Sequence, residues 1–119
     1  MRLEESLFHH LQASVQASIY ANLRGDKLPA VVYTLVSDPV TMSLSNVEQV
    51  HTSRYQVDCY HRNYAKVKKL AEQIKDALHL KSKNLAGYPI QLVVMENRQD
   101  GYVEQAGLFR QMMEFVVYH

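Results

Sequence analysis

Six histidines and a single cysteine are the residues of this 119-residue chain whose types could do chemistry. Cys59 and His61 stand two apart in SRYQVDCYH, so on a strand they share a face, with His51 on the same side. A thiol beside an imidazole is the pairing of a nucleophile with its base, and the same atoms ligate zinc. Spacing argues against both uses. Two strand rises separate the Cα atoms of Cys59 and His61 by about 6–7 Å, and His51 lies about 33 Å from His61 along an extended chain. No third group stands ready to orient the histidine, and the paired ligand spacing of structural zinc sites is missing. Cys59 falls on the face of Tyr55 and Val57, where a free cysteine packs as a small hydrophobe. His9 and His10 are neighbours on a helix and point apart, and His79 and His119 sit at element ends, where a surface position is expected.

The carboxylates do not converge either. Asp58 stands alone, while Glu96, Asp100 and Glu104 flank an expected turn. Four glycines make no phosphate-cradling loop, and no GxSxG elbow is present. The chain therefore predicts no catalytic residue, no metal site and no cofactor. The alternative reading is a small nucleic-acid-binding or regulatory α+β module. Lys66, Lys68, Lys69, Lys75, Lys81 and Lys83 tint one helix and its exit basic, and the chain has eight tyrosines. Glu72 and Asp76 interrupt that patch, however, and the Lys/Arg-Gly-aromatic strand of an RNA-recognition sheet is absent. A solvated helix face explains the lysines without a ligand.

Composition narrows the class further. The length suits one domain with one core, and 47% hydrophobic with 21% charged residues is ordinary for a globular protein. A net charge of +1 draws the protein to neither nucleic acid nor a membrane surface. One cysteine excludes an internal disulfide framework and fits a reducing compartment. No apolar run approaches the ~20 residues that span a bilayer, and MRLEESLFHHLQ lacks the apolar stretch of a secretory signal. A cytoplasmic protein is expected.

The elements that would position these residues follow from hydrophobic periodicity. Residues from about Leu3 to Ala17 predict a helix, interrupted near Gln12 and resuming for one turn. Ala30–Ser37, AVVYTLVS, is apolar on both faces and predicts a covered strand. Val40–Gln49 reads as a polar loop or hairpin arm carrying Met42, Leu44 and Val47. Val50–His61 alternates with period two and predicts a strand. From Tyr64 to Leu78 the period becomes that of an amphipathic helix, with Asn63 as its N-cap. Tyr88–Asn97 predicts a third strand, Asp100-Gly101 the sharpest point of a hairpin turn, and Leu108–Tyr118 a fourth strand. The expectation is one α+β domain over residues 1–119. It has two helices on one face of a mostly antiparallel sheet of about four strands, in the order α-β-β-α-β-β.

The succession LPAVVY (Leu28–Tyr33), SRYQVDCY (Ser53–Tyr60), NYAKVKKLAEQIKDAL (Asn63–Leu78) and LFRQMMEFVVYH (Leu108–His119) resembles the tail-completion family of long-tailed bacteriophages and prophages. Ile19-Tyr20 ahead of the Pro29-led strand agrees with that pattern. Ala21-Asn22 replaces a proline often found there, and Tyr60 replaces a usual tryptophan. The resemblance implies a structural virion-assembly protein without catalysis. Such a protein caps the tail tube and joins it to the head connector, commonly as a homo-oligomeric ring, often a hexamer. It would be made in the host bacterial cytoplasm and end in the tail or neck of the virion. Subunit or partner contacts are then expected from Met42, Leu44 and Val47 on the arm, and from Arg98 and Tyr102 in the turn region Arg98–Gly107.

Overall fold

A computed structural model of the chain describes residues 2–21, 27–37 and 52–119. Among them the order is α1 (Leu3–Ser14), β1 (Ser18–Ala21), β2 (Ala30–Ser37), β3 (Thr52–His61), α2 (Tyr64–Leu78), β4 (Lys83–Leu85), β5 (Tyr88–Ile90), β6 (Leu92–Val103) and β7 (Leu108–Tyr118). The class is α+β, but the four-strand α-β-β-α-β-β order is too simple. The main sheet has five strands in the order β1-β2-β3-β7-β6, and β4 with β5 forms a separate hairpin.

The sheet is antiparallel except for one pair. β1 runs parallel to β2, with Ser18 opposite Ala30 and Ala21 opposite Tyr33. The expected extra turn of helix does not form: α1 runs without a break to Ser14 and bends over residues 15–17 into a strand that was not expected. Val15 leaves α1 in an extended conformation, and the Ser18 N–H donates to the Pro29 carbonyl at 3.0 Å. Once β2 offers an edge, Ser18–Ala21, with Ile19 and Tyr20 at its centre, gains more from pairing than from a helix that suits it poorly.

One core lies between the sheet and both helices. The odd-numbered residues of β3 and β7, including Tyr55, Val57, Cys59, Met113, Phe115 and Val117, face Leu3, Leu7 and Leu11 of α1 and Val67, Leu70, Ile74 and Leu78 of α2. Both helices therefore cover the same face, as the alternation predicts. Asn63 caps α2 as expected, its Oδ1 accepting the Lys66 N–H at 3.0 Å. The buried stripe takes in Ala71 and leaves Tyr64 at 42% exposure, so the stripe's expected first residue lies outside the core.

The C-terminal half departs most from expectation. The single strand Tyr88–Asn97 is broken at Gln91 into β5 and β6. The basic exit of α2 also carries backbone structure: Leu80 N–H donates to Val93 O at 2.7 Å and Val93 N–H to Lys81 O at 2.9 Å, covering the start of the β6 edge. Asp100-Gly101 is not a turn. β6 continues to Val103, with Asp100 opposite Gln111 and Gly101 opposite Arg110, and the chain reverses over Glu104–Gly107, where Gly107 adopts φ +64°. A register shift between Met95 and Asn97 underlies this difference. The extra residue turns Arg98, Asp100 and Tyr102 toward the helix side, where their side chains find partners.

Candidate functional site

Cys59 and His61 do not form a reactive pair. Cys59 is fully buried, and burial pushes its thiol far above the usual range, so the thiolate is suppressed. His61 Nδ1 accepts the Asn63 N–H at 3.0 Å, tying the strand end to the entry of α2. Burial, and then the nearby Lys66, hold its pKa below the ordinary value. Other histidines are built into the fold as well. His10 Nε2 donates to the Ala77 carbonyl at 2.8 Å, joining the two helices, and the Met95 N–H donates to His79 Nδ1 at 3.0 Å. His119 Nε2 lies 2.7 Å from Ser53 Oγ. His79 and His119 are half-buried connectors, not the surface residues their positions at element ends suggest. Among the described residues no three His, Cys, Asp or Glu groups come together as a metal site.

Met42, Leu44 and Val47 lie outside the described residues. Arg98 and Tyr102 fall on β6, not on a turn. Arg98 reaches inward: it bonds Glu72 of α2, and its Nε donates to Gln111 Oε1 at 3.1 Å. Gln111, wholly buried, passes a hydrogen bond on to Asp100, which also accepts the Tyr64 hydroxyl at 2.9 Å. Lys68 completes the group, 4.0 Å from Asp100 and with its Nζ 5.3 Å from the centre of the Tyr64 ring. The bonds from Gln111 and Tyr64 hold the Asp100 carboxyl below its usual range, and the bond from Arg98 does the same for Glu72. Tyr102 stays 55% exposed, its ring against Phe109 at 5.0 Å, and Phe109 in turn meets Tyr64 at 5.4 Å. This network clamps one flank of α2 to the far end of the β6–β7 hairpin.

The helix-free face of the sheet is also internally paired. Arg54 bonds Glu96 at 2.7 Å, with Glu114 at 3.6 Å. The nearly buried Asp58 is far from solitary: Arg110 contacts it at 2.8 Å and Gln56 at 2.9 Å. Cross-strand charges matched in this way fix register and leave little to reach for a ligand.

The opposite flank of α2 differs. A cleft of about 520 Å³ opens between it and the end of α1, floored near His61. Lys66, Lys69 and Gln73 line it from α2, facing Ser14 and Gln16, and no carboxylate stands among the described residues of the lining. Neither lysine forms an ion pair among the described residues. Sequence reasoning treated all the α2 lysines as one solvated face. The separating signal was available in the spacing: residues 66, 69 and 73 stack on one flank, and 64, 68 and 72 on the other.

Nothing in these arrangements brings acid, base and nucleophile together around a space for substrate. What they do is hold a long hairpin and two helices in fixed relation. A solved structure described as the virion of a native gene transfer agent particle contains a chain of similar fold. The TM-score is 0.70 at 16% identity, covering 98% of this chain and 92% of that one. No protein with a curated description matches. The family model described as tail completion protein gp17 matches residues 6–119, from within α1 to the chain's last residue. The chain belongs to the tail completion protein gp17 family.

Proposed function

We propose that the protein is a structural component of a phage-type tail. It completes the end of the tail and joins it to the head connector, acting through surfaces rather than catalysis. The observation that carries this reading is family membership over residues 6–119, which takes in most of α1, all of α2 and every strand of the described fold. The fold supports it, since the side chains with chemical potential are spent on internal ties: Cys59 in the core, His10 between helices and Arg98 on Glu72. In this account the protein assembles in the host bacterial cytoplasm, works as a ring of its own copies, and meets tail-tube and connector proteins on the ring's surfaces.

Deleting the gene from a strain that produces the particles tests the reading. Electron microscopy is expected to show filled heads and unattached or overlong tails, with normal particles restored by supplying the protein in trans. Intact, infectious particles from the deletion strain would overturn it. Ring formation is checked separately by sedimentation of the purified protein over a concentration series.

A further inference from the structure

The two cleft lysines, without an ion pair among the described residues, call for an anion, and the molecule carries one in a matching place. Glu104 opens the exposed turn Glu104–Gly107 at the tip of the β6–β7 hairpin. It forms no ion pair among the described residues. Its own cleft is out of reach, because α2 stands between: one flank of the helix grips the hairpin through Tyr64, Lys68 and Glu72, and the other lines the cleft.

Tip and cleft nevertheless lie at the same end of the sheet and toward opposite edges. His61 closes β3 opposite Phe109, one residue from the start of β7, and Ala30 opens β2 opposite Tyr60. The cleft adjoins the β1–β2 side and the hairpin forms the β6 side of the order β1-β2-β3-β7-β6. Two copies set edge to edge at one level therefore bring the tip of one to the cleft of the next. Such a contact joins two different patches, so it is head-to-tail and repeats around a ring. His61 suits the role too. With Nδ1 accepting from Asn63, its neutral ring carries the proton on Nε2, a further donor beside the lysines.

We infer that the cleft bounded by Lys66, Lys69 and His61 receives the Glu104 hairpin tip of a neighbouring copy of this chain, forming the repeated contact of the ring. The inference rests on the ring reading above and adds the residues that make it. Size favours this occupant over nucleic acid: the cleft takes a turn's few side chains, and two lysines with no stacking ring among the described lining residues make a poor track for a phosphate backbone.

A charge swap tests it. The double variant K66E/K69E and the single variant E104K are each expected to weaken self-association about ten-fold or more at low salt, measured by sedimentation equilibrium. Mixing the two variants, or combining all three changes in one chain, is expected to restore association, since every tip then meets a cleft of opposite sign. Raising the salt should shrink the differences. Variants that stay folded by circular dichroism and form rings as the wild type does would overturn the tip-to-cleft contact and leave the ring reading standing. A wild type that remains monomeric to about 1 mM would overturn both, that figure being about 4 kcal/mol of association. If K66E/K69E instead loses binding to a labelled oligonucleotide while self-association is unchanged, the cleft is a nucleic-acid surface and the proposal fails.

Discussion

The two flanks of α2 carry nearly the same residue types and do opposite things. On the hairpin side Tyr64, Lys68 and Glu72 all have partners, reached through Asp100, Gln111 and Arg98. On the α1 side Lys66 and Lys69 form no ion pair among the described residues and border an open cleft. A lysine's identity therefore says little about its task. Charges that are satisfied within the chain hold the hairpin against the helix, and those without a partner among the described residues are the ones proposed to meet a neighbouring copy.

Each flank depends on the apolar stripe between them, which sets the largest expected effect. Ile74→Ala empties a wholly buried position and should cost about 2–5 kcal/mol in urea denaturation, loosening both sides at once. Next is the centre of the clamp. Gln111→Ala leaves Arg98 and Asp100 without their shared buried partner, and a loss of about 1–3 kcal/mol is expected. Removing the helix cap with Asn63→Ala should cost about 0.5–2 kcal/mol, and this acts on both flanks alike.

A pH series sharpens the comparison. Asp100 and Glu72 both have carboxyls held below their ordinary values by the folded structure. Their contribution is fully present above the unfolded carboxylate range of ~4, and is lost as pH falls through the lower folded values. The stability gap between the wild type and Asp100→Asn should therefore close on acidification below that range. A gap that widened instead would show that the clamp is not ionic. The smallest effect is expected on the cleft flank: Lys66→Ala should shift stability by less than about 0.5 kcal/mol. A cost for Lys66→Ala equal to that of Gln111→Ala would erase the distinction between the two sides.

Much of the fold was legible because local chemistry announces it. The period-two run Tyr55, Val57, Cys59 and the helical stripe Val67, Leu70, Ile74, Leu78 reappear as facing halves of one core. The Asn63 cap was equally plain. The packed fate of Cys59 followed from the company it keeps along its strand. By contrast, nothing local in Ser18–Ala21, just past the weak end of the expected helix, announced a strand, because its pairing depends on an edge of β2 farther along the chain. Asp100-Gly101 looked like a hairpin turn, but a one-residue register shift at Glu96 and the wait of Gln111 across the ladder kept it in the strand. Sequence also offered no way to see that Asp58, apparently solitary, meets Arg110 across 52 positions of chain.

By itself, then, the sequence determined the apolar faces, the start of α2 and the family to which the chain belongs, because each rests on the order and spacing of neighbours. Tertiary structure alone decided where the hairpin reverses, that β1 joins the sheet, and which α2 lysines are matched. Those outcomes depend on pairings between segments far apart in the chain. A shift of one residue in such a pairing moves a whole row of side chains from one face to the other.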